Sequence, residues 1–284
     1  MSNRKIQKIT KGAGMHWVGD GFHVSSMFSY NQDHNISPFL LLDYAVPTHF
    51  DPTTIPREVG LHPHRGFETV TIVYEGEVEH RDTAGNTGKV TPGDVQWMTA
   101  ASGVLHEEMH SASFTQKGGA LEMVQLWVNL PAKDKMSAPH YQEILEKNIP
   151  VIKLNNDAGI VRVIAGEFAG VKGAAKTFTP VHLYDIRLKE AASLDIFIKP
   201  SFNALLLVLN GKISIDSEQI NAAELVMFST EGDVISLKAE KETKLLFMSG
   251  EPINEPVVGA GPFVMNTKQE IYQAYNDFSS GKLR

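Results

Sequence analysis

Leu61-His62-Pro63-His64-Arg65-Gly66-Phe67-Glu68 runs straight into Thr69-Val70-Thr71-Ile72-Val73-Tyr74. The second stretch is β-branched and aromatic, the composition of a strand, and Glu75-Gly76 ends it with turn residues. In an extended chain, residues two apart point to one face, so His62 and His64 can reach one ion together. Pro63 between them lacks an N–H and belongs at a strand start or a sheet edge. Neutral imidazole is a common ligand for iron, nickel, copper and zinc. An H-x-H pair alone fits surface or structural histidines equally well.

Moving outward, Gly103-Val104-Leu105-His106-Glu107-Glu108-Met109 repeats the same spacing. His106 and Glu108 share a face, and Glu107, of opposite parity, reads as solvated. The separation of 42 positions from His64 to His106 leaves room for two hairpins. Together the two segments offer three imidazoles and one carboxylate, a set suited to a divalent first-row metal with open positions. Glu68 is the alternative carboxylate. The remaining polar residues have plainer readings. His80 and Asp82 read as a hydrogen-bonded pair before a turn, and Gly85–Gly88 as the hairpin turn itself. Gln96, Trp97 and Met98 read as core, and Arg65 as the ion-pair partner of Glu68 or Asp94.

The rest of the chain is strand and turn. Val95–Thr99 and Leu121–Leu130 read as strands. Pro131, Pro139 and Pro150 bracket a polar connector with helical character in Tyr141–Lys147, which divides the chain into residues 1–150 and 151–284. Short strand candidates follow at close spacing from Thr179 to Met248, the pattern of a β-sandwich or barrel. Val73–Val78 resembles Val208–Ile213 at an offset of 135 residues, near half of the 284. Only Thr267–Phe278 reads as a helix, with a Thr267/Glu270 capping box and Ile271, Tyr275 and Phe278 on one face. The second half has no H-x-H; its one histidine is His182.

Composition removes several function classes. A net charge of −7 argues against nucleic-acid binding through a generally basic surface. No apolar run approaches membrane-helix length, and the polar start, Met1-Ser-Asn-Arg-Lys, lacks a signal peptide's apolar stretch. The absence of cysteine excludes thiolate metal sites and fits a reducing, cytoplasmic setting.

The run H-P-H-R-G-F-E-T-V-T, then His80-x-Asp82, G-D-V-Q-W-M-T-A at Gly93–Ala100 and G-V-L-H-E-E-M resembles the pirin family of the cupin superfamily. The resemblance implies an all-β bicupin: two antiparallel β-barrel (jelly-roll) domains packed together, with a C-terminal helix. It places the metal domain in residues 1–150 and a ligand-poor cupin domain in residues 151–284. It implies one divalent metal, Fe2+ first and Ni, Cu, Mn or Zn as alternatives, held by His62, His64, His106 and Glu108. Glu108 would also serve as the catalytic base. The implied activity is a metal-dependent quercetin 2,3-dioxygenase, opening a flavonol ring with O2 and releasing carbon monoxide. The implied alternative is a non-enzymatic metal-binding regulator acting through a protein partner.

Overall fold

The computed structural model describes residues 2–31 and 36–283; residue 1, which opens the polar N-terminal stretch, and residues 32–35 and 284 lie outside them. Every pairing between named strands is antiparallel, and the fold is all-β with a C-terminal helix. Two compact units emerge: Ala13–Glu146 with Ile253–Arg284, and Met1–Gly12 with Lys147–Pro252. Where the sequence reading divides the chain once, at residue 150, the structure exchanges the ends. Strand β1 (Ile6–Thr10) pairs with Leu225–Phe228, Ile6 opposite Phe228. Residues 253–284 belong with the histidine-rich unit. Such an exchange leaves no local trace, because which sheet a strand joins is decided by long-range pairing.

In the first segment of the histidine-rich unit the strands are β2 (Met15–Val18), β3 (Phe22–Ser29), β4 (Phe39–Phe50), β5 (Glu58–His64), β6 (Phe67–Glu75), β7 (Val78–Asp82), β8 (Thr87–Val90), β9 (Val95–Thr99), β10 (Val104–His110), β11 (Gly119–Asn129) and β12 (His140–Ile144). A seven-stranded sheet runs β12-β9-β6-β11-β4-β3-β2, and a four-stranded sheet runs β5-β10-β7-β8. Phe22, Val24, Ala45, Val73 and Met123 of the larger sheet pack with Val78 and Val90 of the smaller. The result is two facing sheets in the jelly-roll manner, as the sequence reading expects.

The other unit has the same plan. Its seven-stranded sheet contains Asn203–Asn210 and Thr243–Gly250, and its four-stranded sheet contains Lys212–Ile215 and Val234–Ala239. Between them lies an apolar core that includes Tyr184, Ile196, Leu206, Ile213 and Phe247. The internal repeat is visible in the turns: Gly76 and Gly211 take φ of 81° and 88° at equivalent hairpins, a conformation that favours glycine.

Two local readings are corrected. Tyr141–Lys147 is not helical: β12 pairs with β9, Tyr141 opposite Met98 and Ile144 opposite Val95. An available sheet edge overrides weak helical propensity, and only Glu146–Asn148 makes a 3-10 turn. The sequence reading also missed a six-residue helix, α1 (Ala112–Lys117), capped by Ser111 Oγ accepting from Phe114 N. The C-terminal helix α2 (Lys268–Ser279) is capped by Thr267 as read. It buries Ile271 and Ala274, whereas Tyr275 and Phe278 stay about two-fifths exposed.

Candidate metal centre

Strands β5 and β10 bring the two histidine segments together. Their register sets His106 opposite His62 and Val104 opposite His64, and directly opposed residues in an antiparallel pair share a face. Strand β5 is the edge of its sheet, where Pro63 removes no needed ladder bond. The three imidazole rings lie 4.3, 4.7 and 4.9 Å apart between centroids. One ring nitrogen from each falls within 4.8 Å of the others. His64 and His106 are buried and His62 is partly exposed.

The free ring nitrogens fit a cation. His62 Nδ1 lies 2.8 Å from the Gly60 carbonyl, which leaves Nε2 available. His64 Nδ1 and His106 Nε2 are buried with no hydrogen-bond partner. An orphaned buried polar atom costs roughly 1–3 kcal/mol, which a bound first-row metal removes. Burial, then the neighbouring His62, holds the His64 imidazole down to about 3. Burial and the surrounding histidines also push His106 far below its ordinary range. Both are therefore neutral at physiological pH and present lone pairs, the form that ligates metal.

Glu108 lies on the same strand two residues from His106, opposite His80 on β7. Its carboxylate is nearly buried and accepts from Thr71 Oγ1 at 3.3 Å. It stands outside the tight three-histidine set. Glu68 is separated from Thr71 by three positions along β6 and so points to the opposite face. It accepts instead from Thr99 Oγ1 at 2.7 Å. Gly66, between β5 and β6, interrupts the alternation that linked Glu68 to His62 and His64.

Other candidates resolve individually. Arg65 pairs with neither Glu68 nor Asp94. Its Nη1 meets Asp277 Oδ2 at 2.9 Å, and its Nε donates to the Ser102 carbonyl at 2.6 Å. The Asp94 carboxylate accepts from Thr91 and from the Glu146 backbone. Glu107 reaches Arg81 at 3.6 Å. Gln96, Trp97 and Met98 are all buried. His80 does pair with Asp82, at 3.3 Å, and also approaches His106. His182, in the other unit, bonds the Tyr184 hydroxyl.

Thr69, Thr71 and Gln125 escaped the sequence reading, and Gln96 was read there as core. Thr71 lies opposite Gln96 on one side and Gln125 on the other, so all three share a face with Thr69. Thr71 Oγ1 is 2.5 Å from Gln125 Oε1. Both Gln96 amide atoms and Thr69 Oγ1 are buried without a partner. A signal was present: each is a polar residue within a buried, largely apolar strand, and such residues need a reason to be there.

The sequence model of the Pirin family matches residues 21–128, and that of the Pirin C-terminal cupin domain matches residues 183–284. The chain belongs to the pirin family. A Pseudomonas aeruginosa pirin relative, named as a candidate quercetin 2,3-dioxygenase, is 49% identical over 98% of each chain. Human Pirin is 39% identical, covering 87% of this chain and 83% of its own. A crystal structure of quercetin 2,3-dioxygenase from Acinetobacter baumannii superposes with a TM-score of 0.96, at 49% identity, covering 99% of each chain.

Proposed function

We propose that this pirin is a metal-dependent dioxygenase that opens the ring of a flavonol such as quercetin with O2. The observation that carries the reading is the set of neutral imidazoles with buried, unpartnered nitrogens converging on one face. The names of the 49% identical relative and structure supply the reaction class.

In this reading His62, His64, His106 and Glu108 hold one divalent first-row metal, Fe2+ first, with Ni, Cu, Mn or Zn compatible with the same nitrogen and oxygen donors. When bound, the metal supplies Lewis acidity, which makes a flavonol hydroxyl easier to deprotonate. Glu108 takes that proton: a carboxylate beside the three histidines is placed for general-base work. Thr71 steadies the carboxylate through Oε1. Apolar side chains keep bulk water from the reacting ring. Phe67 and Trp127 stack at 4.2 Å, and both flank His64. Gln96 and Thr69, unpartnered on the neighbouring sheet, are free to hydrogen-bond a polyphenol.

The test is direct. Elemental analysis of the purified chain should return about one first-row metal per chain. Metal-loaded protein should consume O2 with quercetin, and chelation should stop it. His106→Ala should lose both metal and turnover while keeping its β-rich circular dichroism. Absence of stoichiometric metal, or unchanged oxygen uptake by His106→Ala, overturns the reading.

A further inference from the structure

Asp82, His80 and His106 form a line of contacts. Asp82 Oδ2 lies 3.3 Å from His80 Nε2, and His80 Nδ1 lies 3.3 Å from His106 Nδ1. All three side chains share one face, because Asp82 lies opposite His106 in the β7–β10 ladder and His80 opposite Glu108. His80 and His106 are at most 1% exposed, so water does not substitute for these partners.

The direction of each bond follows from what each atom can do. A carboxylate only accepts, so His80 carries its proton on Nε2. A neutral imidazole with Nε2–H has a bare Nδ1, which accepts. His106 must therefore donate from Nδ1, and its Nε2 is left as a lone pair. That Nε2 is the buried atom with no partner. The bond made by one ring nitrogen fixes the role of the other.

We infer that Asp82 and His80 are positioning residues that lock His106 in the tautomer able to ligate a metal through Nε2. The inference rests on the metal-site reading of His106. Three features fix the line from outside. The Asn86 backbone N–H donates to Asp82 Oδ1 at 2.9 Å, and the Asn86 amide reaches both carboxylate oxygens. Tyr141 stacks on His80, with centroids 5.4 Å apart and planes 20° from parallel. Gly88, opposite His80 on β8, leaves room for that ring, since a Cβ there would lie 2.2 Å from Tyr141 Oη. The β7–β8 turn thus holds the carboxylate, the carboxylate orients His80, and His80 orients His106.

Asp82→Asn tests the polarity with almost no change in shape. The Asn86 N–H still calls for an oxygen at the Oδ1 position, and the Asn86 side-chain amide turns over so that its oxygen accepts from the new NH2, which then faces His80 Nε2. His80 must then carry its proton on Nδ1 and donate to His106 Nδ1. The His106 proton moves to Nε2 and blocks ligation. Two readouts decide the matter on the full chain. In metal-free protein, 15N-detected imidazole NMR should show His106 protonated on Nδ1 in wild type and on Nε2 in Asp82→Asn. In a Co2+ titration followed by visible absorption, Asp82→Asn should bind about ten- to a hundred-fold more weakly, the scale typical of lost outer-shell support. His80→Phe keeps the ring stacked on Tyr141 but removes the acceptor; it should mix the two His106 tautomers and also weaken Co2+ binding. A wild-type His106 protonated on Nε2, or an Asp82→Asn variant with the wild-type tautomer and Co2+ affinity within twofold, overturns the inference. If wild type binds no Co2+, the metal reading fails, and the NMR readout still decides the tautomer.

Discussion

At the scale of single residues, Glu68 shows how burial turns a carboxyl into a pH sensor of stability. Its carboxyl is 1% exposed, and burial raises it to about 7 despite the Thr99 hydrogen bond. A carboxyl raised in the native state binds more protons there than in the unfolded chain. Its contribution is fully present below the unfolded value near 4.5 and is lost as pH climbs through 7. The span corresponds to about 3 kcal/mol. The lowered His64 and His106 act in the opposite direction over this range, so Glu68 is read from the difference between two proteins: between pH 5 and pH 8 the urea midpoint of wild type should fall relative to that of Glu68→Gln. Equal slopes in the two proteins would remove Glu68 as the cause. The same residue marks what was legible at this scale. That His62 shares a face with His64, and His106 with Glu108, follows from parity within a strand, which depends only on local backbone geometry. Glu68 lies beyond Gly66, where parity no longer carries. The His80–His106 contact joins side chains on neighbouring strands, diagonal to one another, so its register was invisible until β7 and β10 were paired.

At the scale of elements, the β7–β8 hairpin acts as a support for the centre. Thr83–Asn86 turn residues, Gly88 and the edge strand β12 hold His80 from three directions, with Tyr141 of β12 against its ring. Gly88→Ala places a methyl against the Tyr141 hydroxyl, a group that is buried and unpartnered. Overpacking of this kind costs about 1–3 kcal/mol. The cost should largely vanish when Tyr141 is first cut to Ala, because no ring remains to collide with. A double-mutant cycle on thermal unfolding measures that coupling, and additive effects would mean that the two residues do not share the space. Strands rich in β-branched residues, such as Thr69–Val73, were readable because composition and turn residues agreed. Strand β12 was not, since its sequence is polar and its conformation comes from pairing with β9. Helix α1 is too short to show a period, and only its Ser111 cap could have announced it.

At the scale of the whole molecule, the repeat and the two-unit plan were legible, because duplicated turns leave duplicated glycines. The exchanged ends were not, because a tail's destination is set by distant partners. Lys135 shows how the returning C-terminal segment is held. It is 1% exposed and donates to the Gly66 carbonyl at 2.7 Å, Asn129 Oδ1 at 2.6 Å and the Val264 carbonyl at 3.0 Å. One ammonium thus ties the turn after His64, the end of β11 and the returning segment. Arg65 adds a second tie through Asp277, and the Pro262 carbonyl accepts a hydrogen bond from His64. The tail therefore borders the candidate metal centre at three points. Lys135→Met fills the same space but leaves three oxygens without their donor, at about 1–3 kcal/mol for each that stays dry. The variant should unfold at lower urea concentration, and limited proteolysis should cut within residues 253–284 before it cuts the sheets. Its Co2+ affinity should fall as well, because a loosened tail no longer presents the Pro262 carbonyl to His64. Unchanged proteolysis together with unchanged affinity would show that the tail is anchored by its apolar contacts alone, with Phe263, Met265 and Ile271 carrying the load.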